Sequence, residues 1–252
     1  MLKINHSNKL FVATVYTKSE LNRVWYDLQR KFLESTTDKY DFGIYSSGAD
    51  ISLFESNHII KHVEKKEKFE HCKGLNFLLN YAIEKKYKSI LFLDSDCFPI
   101  LSKWQEKIEN EMIGFNVAAV IRTENLDFFP HPCACYIKNI NENSVGFIYK
   151  KKVNFIGVEF NDLEFNETKF YPLLRSNAVN LDPILCGIYK NFFYHHGAGS
   201  RTLGKKYKEG RCRGYFYGKT DMDLISSYAI QRLQSDPEGF IEYLNKYKFF
   251  AS

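Results

Sequence analysis

The chain has 252 residues, enough for one large α/β domain, and its 44% hydrophobic and 26% charged residues are ordinary globular values. A formal net charge of +5 is too mild to indicate a nucleic-acid binder, although it suits a protein that handles anionic phosphates. No apolar run approaches the ~20 residues that span a bilayer, and the first residues lack a signal peptide's apolar core. We therefore expect a cytoplasmic protein, with at most peripheral contact at the inner face of the membrane. The six cysteines lack zinc-site spacing and indicate thiols in a reducing compartment.

Strands and helices are predicted to alternate through the first half of the chain. Apolar and β-branched runs predict strands at residues 10–16, 41–45, 57–63 and 90–93. Helical spacing of apolar residues predicts helices at 21–32 and 69–83. A turn of small residues, 46–50, follows the second strand. This alternation predicts a parallel sheet with helices on its faces.

The second half of the chain is less regular. Its predicted elements are a helix at 104–112, strands at 117–121, 135–140, 145–149 and 153–158, and helices at 221–233 and 238–249. The aromatic and polar stretch 127–171 indicates antiparallel or mixed pairing. Because repeats and low-complexity linkers are missing, we expect one domain over 1–220 and a helical extension over 221–252.

Two carboxylates one residue apart, Asp94 and Asp96, end the strand at 90–93. Ligands of open α/β sheets bind outside the carboxyl ends of the strands, so we expect these aspartates at the substrate. Their like charges favour a divalent cation that bridges to a phosphate. Two other interpretations are a helix cap, with Asp96 preceding a helix at 102–113, and a phosphatase of the haloacid dehalogenase type. The phosphatase pattern needs Thr or Val where Phe98 stands, which argues against it.

Three motifs in order resemble those of nucleotide-sugar glycosyltransferases of the GT-A fold, closest in layout to the family-two group. They are Ser46-Ser47-Gly48-Ala49-Asp50, His71-Cys72-Lys73-Gly74-Leu75-Asn76 and Asp94-Ser95-Asp96. They are similar to the family's acidic-Gly-Ser-x-Asp turn, its Gly-x-x-x-Ala-x-Asn region and its Asp-x-Asp motif. The resemblance implies a Rossmann-like mixed sheet flanked by helices. It also implies a nucleotide-binding half at 1–125 and an acceptor- and metal-closing half at 126–220.

The resemblance also implies roles for single residues. Asp96 would ligate the metal, while Asp94 would contact the ribose or a metal-bound water. The residues implied to contact the nucleotide sugar are Asp94, Ser95, Asp50, Asn76 and Arg201. Ser46 and Ser47 stand where the family often has an aspartate that contacts uracil, so the identity of the base stays open. Asp50 either takes over that contact or binds its own backbone in a turn.

A pair of histidines precedes a glycine-rich basic stretch at 197–219. Many GT-A enzymes return a carboxyl-terminal histidine to the metal, and the resemblance implies His196, with His195 as the alternate. The other interpretation is a partly buried ring bonded to a carbonyl. Imidazole favours Mn²⁺ over Mg²⁺. Arg201 would meet the diphosphate as the loop closes, whereas the lysines of the stretch are typical of solvated surface.

An inverting reaction needs a carboxylate that takes the proton of the acceptor hydroxyl. Asp182, followed by Pro183, lies in the order expected from inverting GT-A enzymes, and it is equally typical of a helix cap. Asp162 and Glu164 are weaker candidates, and a retaining mechanism needs no such base.

The segment 128–136, rich in Phe and Pro, either borders the acceptor or forms a packed turn.

Together these residues predict a metal-dependent, inverting glycosyltransferase that moves a sugar from a nucleotide-diphosphate donor to a glycan or lipid-linked acceptor. The setting we expect is bacterial surface-glycan synthesis. A phosphotransferase or nucleotidyltransferase that uses the same carboxylates is the alternative among enzymes. A GT-A relic that binds a glycan or nucleotide without catalysis is the alternative among binding proteins. Intact Asp94, Asp96 and His196 argue against such a relic.

Overall fold

The computed structural model of the chain describes residues 9–65, 70–123, 127–142, 147–149, 158–160, 170–177, 185–197, 199 and 222–246. Its strands are β1 (Leu10–Thr17), β2 (Tyr40–Ser47), β3 (Ile59–Val63), β4 (Ser89–Asp94), β5 (Cys97–Pro99), β6 (Val117–Arg122), β7 (Asp127–Lys138), β8 (Phe147–Tyr149), β9 (Val158–Phe160), β10 (Phe170–Leu173), β11 (Gly187–Tyr189) and β12 (Phe193–His195). Its helices are α1 (Asn22–Thr36), α2 (Glu70–Glu84), α3 (Trp104–Glu111), α4 (Met222–Ser235) and α5 (Pro237–Lys246). None of the helices in these ranges combines the length and the apolar character needed to cross a bilayer.

The main sheet has seven strands in the order β10-β6-β7-β4-β1-β2-β3. Strand β7 runs antiparallel to its neighbours β4 and β6, and the other neighbouring strands of this sheet are parallel. From β1 the chain moves outward to β2 and β3, and it then returns to place β4 on the other side of β1. The strand order therefore reverses between β1 and β4.

Apolar cores lie on both faces of the main sheet, which explains the nearly continuous apolar runs of its central strands. Side chains alternate along β1, so that Val12 and Tyr16 join the core that includes residues of α1. Phe11, Ala13 and Val15 point the other way and join the core that includes residues of α2. Because apolar cores pack against both of its faces, β1 holds its carboxyl end in a fixed position.

A second sheet consists of three short antiparallel strands in the order β11-β12-β5. Its register places Cys97 opposite His195 and Phe98 opposite Tyr194. Only two residues separate the end of β4 from the start of β5. The segment from Asp94 to Cys97, named here the aspartate turn, therefore joins the two sheets, and β12 lies beside it.

The carboxyl-terminal helices pack against α1. Leu233 and Phe240 have no exposed surface and belong to the same apolar core as Trp25 of α1. Lys31 on α1 also pairs with Glu238 on α5 at 2.8 Å. The predicted boundary between 1–220 and 221–252 stays a prediction, although the helices on its carboxyl side share this core.

The predicted α/β class, the mixed sheet flanked by helices and the helical carboxyl end are confirmed. The elements predicted before residue 122 occur at the expected positions within a few residues. The sequence analysis does not predict β5, β10, β11 or β12, because strands of three or four residues are too short to show a period. Most of the strand predicted at 153–158 lies outside the described residues, and β9 begins at its last position.

Candidate metal centre

The carboxyl end of β4 lies where the strand order of the main sheet reverses. Strand β4 runs parallel to β1, and Asp94 lies opposite Val15 in their register. In open α/β sheets, the crevice outside the strand ends at such a reversal is the usual place of a ligand. Strand β4 and the aspartate turn thus carry Asp94 and Asp96 to this crevice.

Two carboxylates and one imidazole converge at this position. Asp94, Asp96 and His195 each offer one ligand atom, and the three atoms lie within 4.8 Å of one another. His195 Nε2 is 3.7 Å from Asp94 Oδ2 and 3.6 Å from Asp96 Oδ1. Ligand atoms that share one cation at about 2.1 Å lie roughly 3–4 Å apart, so the two distances from His195 Nε2 fit a shared cation.

Backbone hydrogen bonds hold His195 beside the aspartates. Strand β12 pairs with β5, and the N–H of His196 donates to the carbonyl of Asp96 at 3.0 Å. The carbonyl of His196 in turn accepts from the N–H of Cys186 at 2.9 Å. The small second sheet therefore brings a distant part of the chain to the aspartate turn.

Gly199 fills a space between Asp96 and Trp25 that admits no side chain. Its N–H donates to Asp96 Oδ2 at 2.7 Å, and its carbonyl accepts from Trp25 Nε1 at 2.8 Å. A Cβ at this position would lie 2.6 Å from Asp96 Oδ2 and 2.8 Å from Trp25 Cζ2, closer than real Cβ atoms come to other atoms. One oxygen of Asp96 is thus fixed by Gly199, and the other, Oδ1, is the one near His195.

The carboxylates of the site attract positive charge. Burial opposes the charged form of Asp96, but the charge and hydrogen bonding of His195 lower the pKa of Asp96 to about 2. Burial also opposes a charged His195, yet its neighbours Cys133 and Asp96 raise the pKa of the imidazole well above its ordinary value. A metal ion bound by these side chains would take the place of the imidazole proton.

The three donors suit a divalent metal. Carboxylate oxygens are hard ligands for Mg²⁺ and Mn²⁺, and an imidazole shifts the preference towards Mn²⁺. Within the described residues, Asp94 Oδ1 is buried without a hydrogen bond, although His71 Nε2 lies 3.2 Å away as an ion-pair neighbour. A buried carboxylate oxygen in this state is costly unless a cation approaches it. The residues of the site therefore fit a metal ion.

The two adjacent histidines are used differently. His196 is fully buried, with Nδ1 3.0 Å from the Tyr194 hydroxyl and Nε2 2.8 Å from the Ser226 hydroxyl. Burial lowers the pKa of His196 to about 4, so its ring is neutral near pH 7. The nitrogen atoms of the His196 ring thus face hydroxyls, whereas Nε2 of His195 lies near both aspartates. The geometry favours the alternate, His195, over His196 as the metal ligand, and the role of either histidine stays a prediction.

Two residues implied to contact the donor sugar bind to the protein itself. Asp50 Oδ1 accepts from the N–H of Ser52 at 3.0 Å and from its hydroxyl at 2.8 Å, as a turn residue does. The amide of Asn76 donates to the carbonyl of Phe147 at 2.7 Å and accepts from its N–H at 2.7 Å. Asn76 thereby joins α2 to β8, and a donor contact for either residue stays a prediction.

The other predicted site residues divide into two groups. Ser95 is buried in the aspartate turn. The predicted segment 128–136 forms most of β7, in which Cys133 and Tyr136 are buried, as expected for packed structure. The residues that lie outside the described part of the chain are Asp182, Asp162, Glu164 and Arg201. Their roles stay predictions.

His71 is a residue of the site to which the sequence analysis gives no role. It lies in the first turn of α2, with Nε2 3.2 Å from Asp94 Oδ1. The signal was available in the sequence, because a helix that leads back into a parallel strand begins at the carboxyl edge of the sheet. His71 opens one of the three motifs, and that position places it near Asp94.

No family model matches this sequence, and no curated protein matches it. Among solved structures, the chain is similar to S. aureus TarS, at 14% identity and a TM-score of 0.38, over 51% of this chain and 28% of TarS. It is similar to an active-site mutant of LgtC, at 9% identity and a TM-score of 0.36, over 51% of this chain and 57% of LgtC. It is also similar to A197 from STIV, at 14% identity and a TM-score of 0.36, over 80% of this chain and 99% of A197. LgtC is a galactosyltransferase. The chain spans less than two thirds of TarS and of LgtC. Similarity this partial says nothing of the chain's substrate.

Proposed function

We propose that the protein is a metal-dependent glycosyltransferase that moves a sugar from a nucleotide-diphosphate donor to an acceptor hydroxyl. The observation that carries this proposal is the convergence of Asp94, Asp96 and His195 at the carboxyl end of β4. Three protein ligands leave coordination positions open, which a catalytic metal needs and a purely structural metal does not. The location at the strand reversal supports a nucleotide ligand in the same crevice.

The reaction requires negative charge to be stabilised on the departing diphosphate. When bound, a divalent metal would supply positive charge to those phosphate oxygens without a proton transfer. Asp96 and His195 would hold the ion from buried positions, since their side chains are only 6% and 5% exposed. The Asp94 side chain, at 22% exposure, is the member of the group that solvent and a donor can reach.

The finer parts of the proposal come from the resemblance to GT-A enzymes. Asp182 would accept the proton of the acceptor hydroxyl in an inverting reaction, and Arg201 would bind the diphosphate. The metal would be Mn²⁺ or Mg²⁺. The acceptor would be a glycan or a lipid-linked sugar, in bacterial surface-glycan synthesis at the inner face of the membrane.

A thermal-shift screen with and without Mn²⁺ tests the proposal. The ligands are UDP-, GDP- and dTDP-sugars, with a CMP-sugar as the monophosphate comparison and ATP as the test of the phosphotransferase alternative. We expect at least one nucleotide-diphosphate sugar to stabilise the wild type in the presence of Mn²⁺. No response to any of them would contradict the proposal, and a response to ATP with phosphoryl transfer would favour the phosphotransferase alternative.

The variant Asp96→Asn tests the metal role in the same assay. It keeps the size of the side chain and removes its charge, so we expect donor hydrolysis or transfer to fall by at least about 100-fold, as when one preorganised electrostatic group is lost. The matched control is Asp38→Asn, at an exposed aspartate on the surface. An unchanged rate in Asp96→Asn would remove Asp96 from the site.

A further inference from the structure

A buried glutamine on α1, Gln29, contacts both ends of the aspartate turn. Its Nε2 donates to the carbonyl of Asp94 at 2.8 Å and to the carbonyl of Cys97 at 2.7 Å. Its Oε1 accepts from the hydroxyl of Tyr16, on β1, at 2.8 Å. Gln29 has no exposed surface, so water does not compete for these bonds.

Each polar atom of the Gln29 amide is matched to a partner of the opposite kind. Backbone carbonyls can only accept, so they need the two N–H groups of the amide, and the Tyr16 hydroxyl supplies the hydrogen that the amide oxygen accepts. Trp25 and Phe32, one turn away on either side, belong to the apolar core. A buried amide in such surroundings is unfavourable unless it is hydrogen-bonded. The aspartate turn supplies that hydrogen bonding and so accounts for a glutamine at this position.

The two carbonyls that Gln29 binds flank Ser95 and Asp96 in the chain. The two hydrogen bonds fix the distance between the ends of the aspartate turn. That distance determines the directions in which the carboxylates of Asp94 and Asp96 point. A metal site depends on such support, because ligands must stay near their productive positions before the ion arrives.

We propose that Gln29 is a positioning residue for the metal centre, which it supports by fixing the aspartate turn without contacting the metal or the substrate. This inference rests on the proposed metal-dependent function. Groups that orient metal ligands typically change metal affinity 10- to 100-fold when they are removed. We therefore expect the affinity for Mn²⁺ to depend on Gln29, although its side chain does not contact the ion.

The test measures Mn²⁺ binding by the full chain, without donor or turnover, from the electron paramagnetic resonance signal of free Mn²⁺. Gln29→Met keeps the length of the side chain and removes all three hydrogen bonds. We expect the Kd for Mn²⁺ to rise about 10- to 100-fold. The matched control is Thr36→Val on the same helix, where a buried hydroxyl that donates to the carbonyl of Phe32 at 2.6 Å is lost. The Kd of this control is expected to stay at the wild-type value.

A Kd for Gln29→Met within about twofold of the wild type, measured below its unfolding midpoint, would overturn the inference. If Gln29→Met does not fold, Tyr16→Phe replaces it, because this change removes only the hydroxyl that orients the amide. We expect Tyr16→Phe to raise the Kd by about threefold or more, and an unchanged Kd would again overturn the inference. If the wild type binds no Mn²⁺, the proposed function and this inference both fail. If the wild type binds Mn²⁺ and Gln29→Met binds it equally well, only this inference fails.

Discussion

At the scale of single residues, His195 and His196 differ in their neighbours, because the His195 ring lies beside carboxylates and the His196 ring lies between two hydroxyls. We predict that His195→Gln weakens Mn²⁺ binding, because it removes the ring nitrogen that lies near both carboxylates. We predict that His196→Ala instead lowers the free energy of unfolding by about 2–4 kcal/mol, because it opens a cavity and leaves the hydroxyls of Tyr194 and Ser226 without the ring. Mn²⁺ titration measures binding and urea unfolding measures stability for both variants. Weaker Mn²⁺ binding by His196→Ala, together with normal binding by His195→Gln, would support His196 as the ligand.

Gly199 limits the space available to Asp96. We predict that Gly199→Ala weakens Mn²⁺ binding at least tenfold, because the added Cβ would lie 2.6 Å from Asp96 Oδ2 and displace that carboxylate. The control is Gly114→Ala, where a Cβ meets nothing within 4 Å but the backbone has a φ of +84°. This control should lose roughly 1–2 kcal/mol of stability while its Mn²⁺ affinity stays normal. Equal Mn²⁺ affinities in the two variants would argue against tight packing around Asp96.

Single residues of the site differ in how far the sequence predicts them. Asp94 and Asp96 are predictable because an apolar strand that ends in two carboxylates is a local pattern. The choice between His195 and His196 is not local, since it depends on the register of β12 against β5. Gln29 lies within a helical apolar pattern, and only the folded chain shows that its amide meets the aspartate turn.

At the scale of elements, Asn76 joins α2 to β8 through the backbone of Phe147. We predict that Asn76→Ala lowers the free energy of unfolding by about 1–3 kcal/mol, because the backbone N–H and carbonyl of Phe147 each lose their hydrogen bond with the Asn76 amide, and that Mn²⁺ affinity is unchanged. The exposed Asn80, one turn further along α2, supplies the control Asn80→Ala, expected within about 0.5 kcal/mol of the wild type. Chemical denaturation measures both. Normal stability together with lost nucleotide-sugar binding would instead support the predicted donor contact of Asn76.

The longer helices were the most predictable elements, whereas β7, the longest strand with 12 residues, was predicted only from residue 135. Helices α1 and α2, with 15 residues each, repeat their apolar pattern often enough to be recognised. Strands β5, β11 and β12 have three residues each, so no period can show in them. These short strands are stabilised by pairing with one another, which is a property of the tertiary structure. The element that carries His195 was therefore the hardest to predict.

At the scale of the whole molecule, the carboxyl-terminal helices share a core with the main sheet. We predict that Leu233→Ala, at a fully buried position of α4, lowers the free energy of unfolding by about 2–5 kcal/mol in one cooperative transition. The control is Leu174→Ala, at a leucine that is 43% exposed, where the loss should be much smaller. Near- and far-ultraviolet circular dichroism during urea unfolding measure both. A separate early transition of helical signal would support 221–252 as an independent extension.

The proposed function depends on whether Asp94, Asp96 and His195 hold a divalent cation. Anomalous diffraction from crystals of the wild type soaked with Mn²⁺ and a nucleoside diphosphate locates such an ion directly. We predict a strong peak about 2.0–2.5 Å from one oxygen of each aspartate and from Nε2 of His195. A manganese peak elsewhere in the molecule, or none between these three side chains in the soaked crystal, would contradict the metal centre.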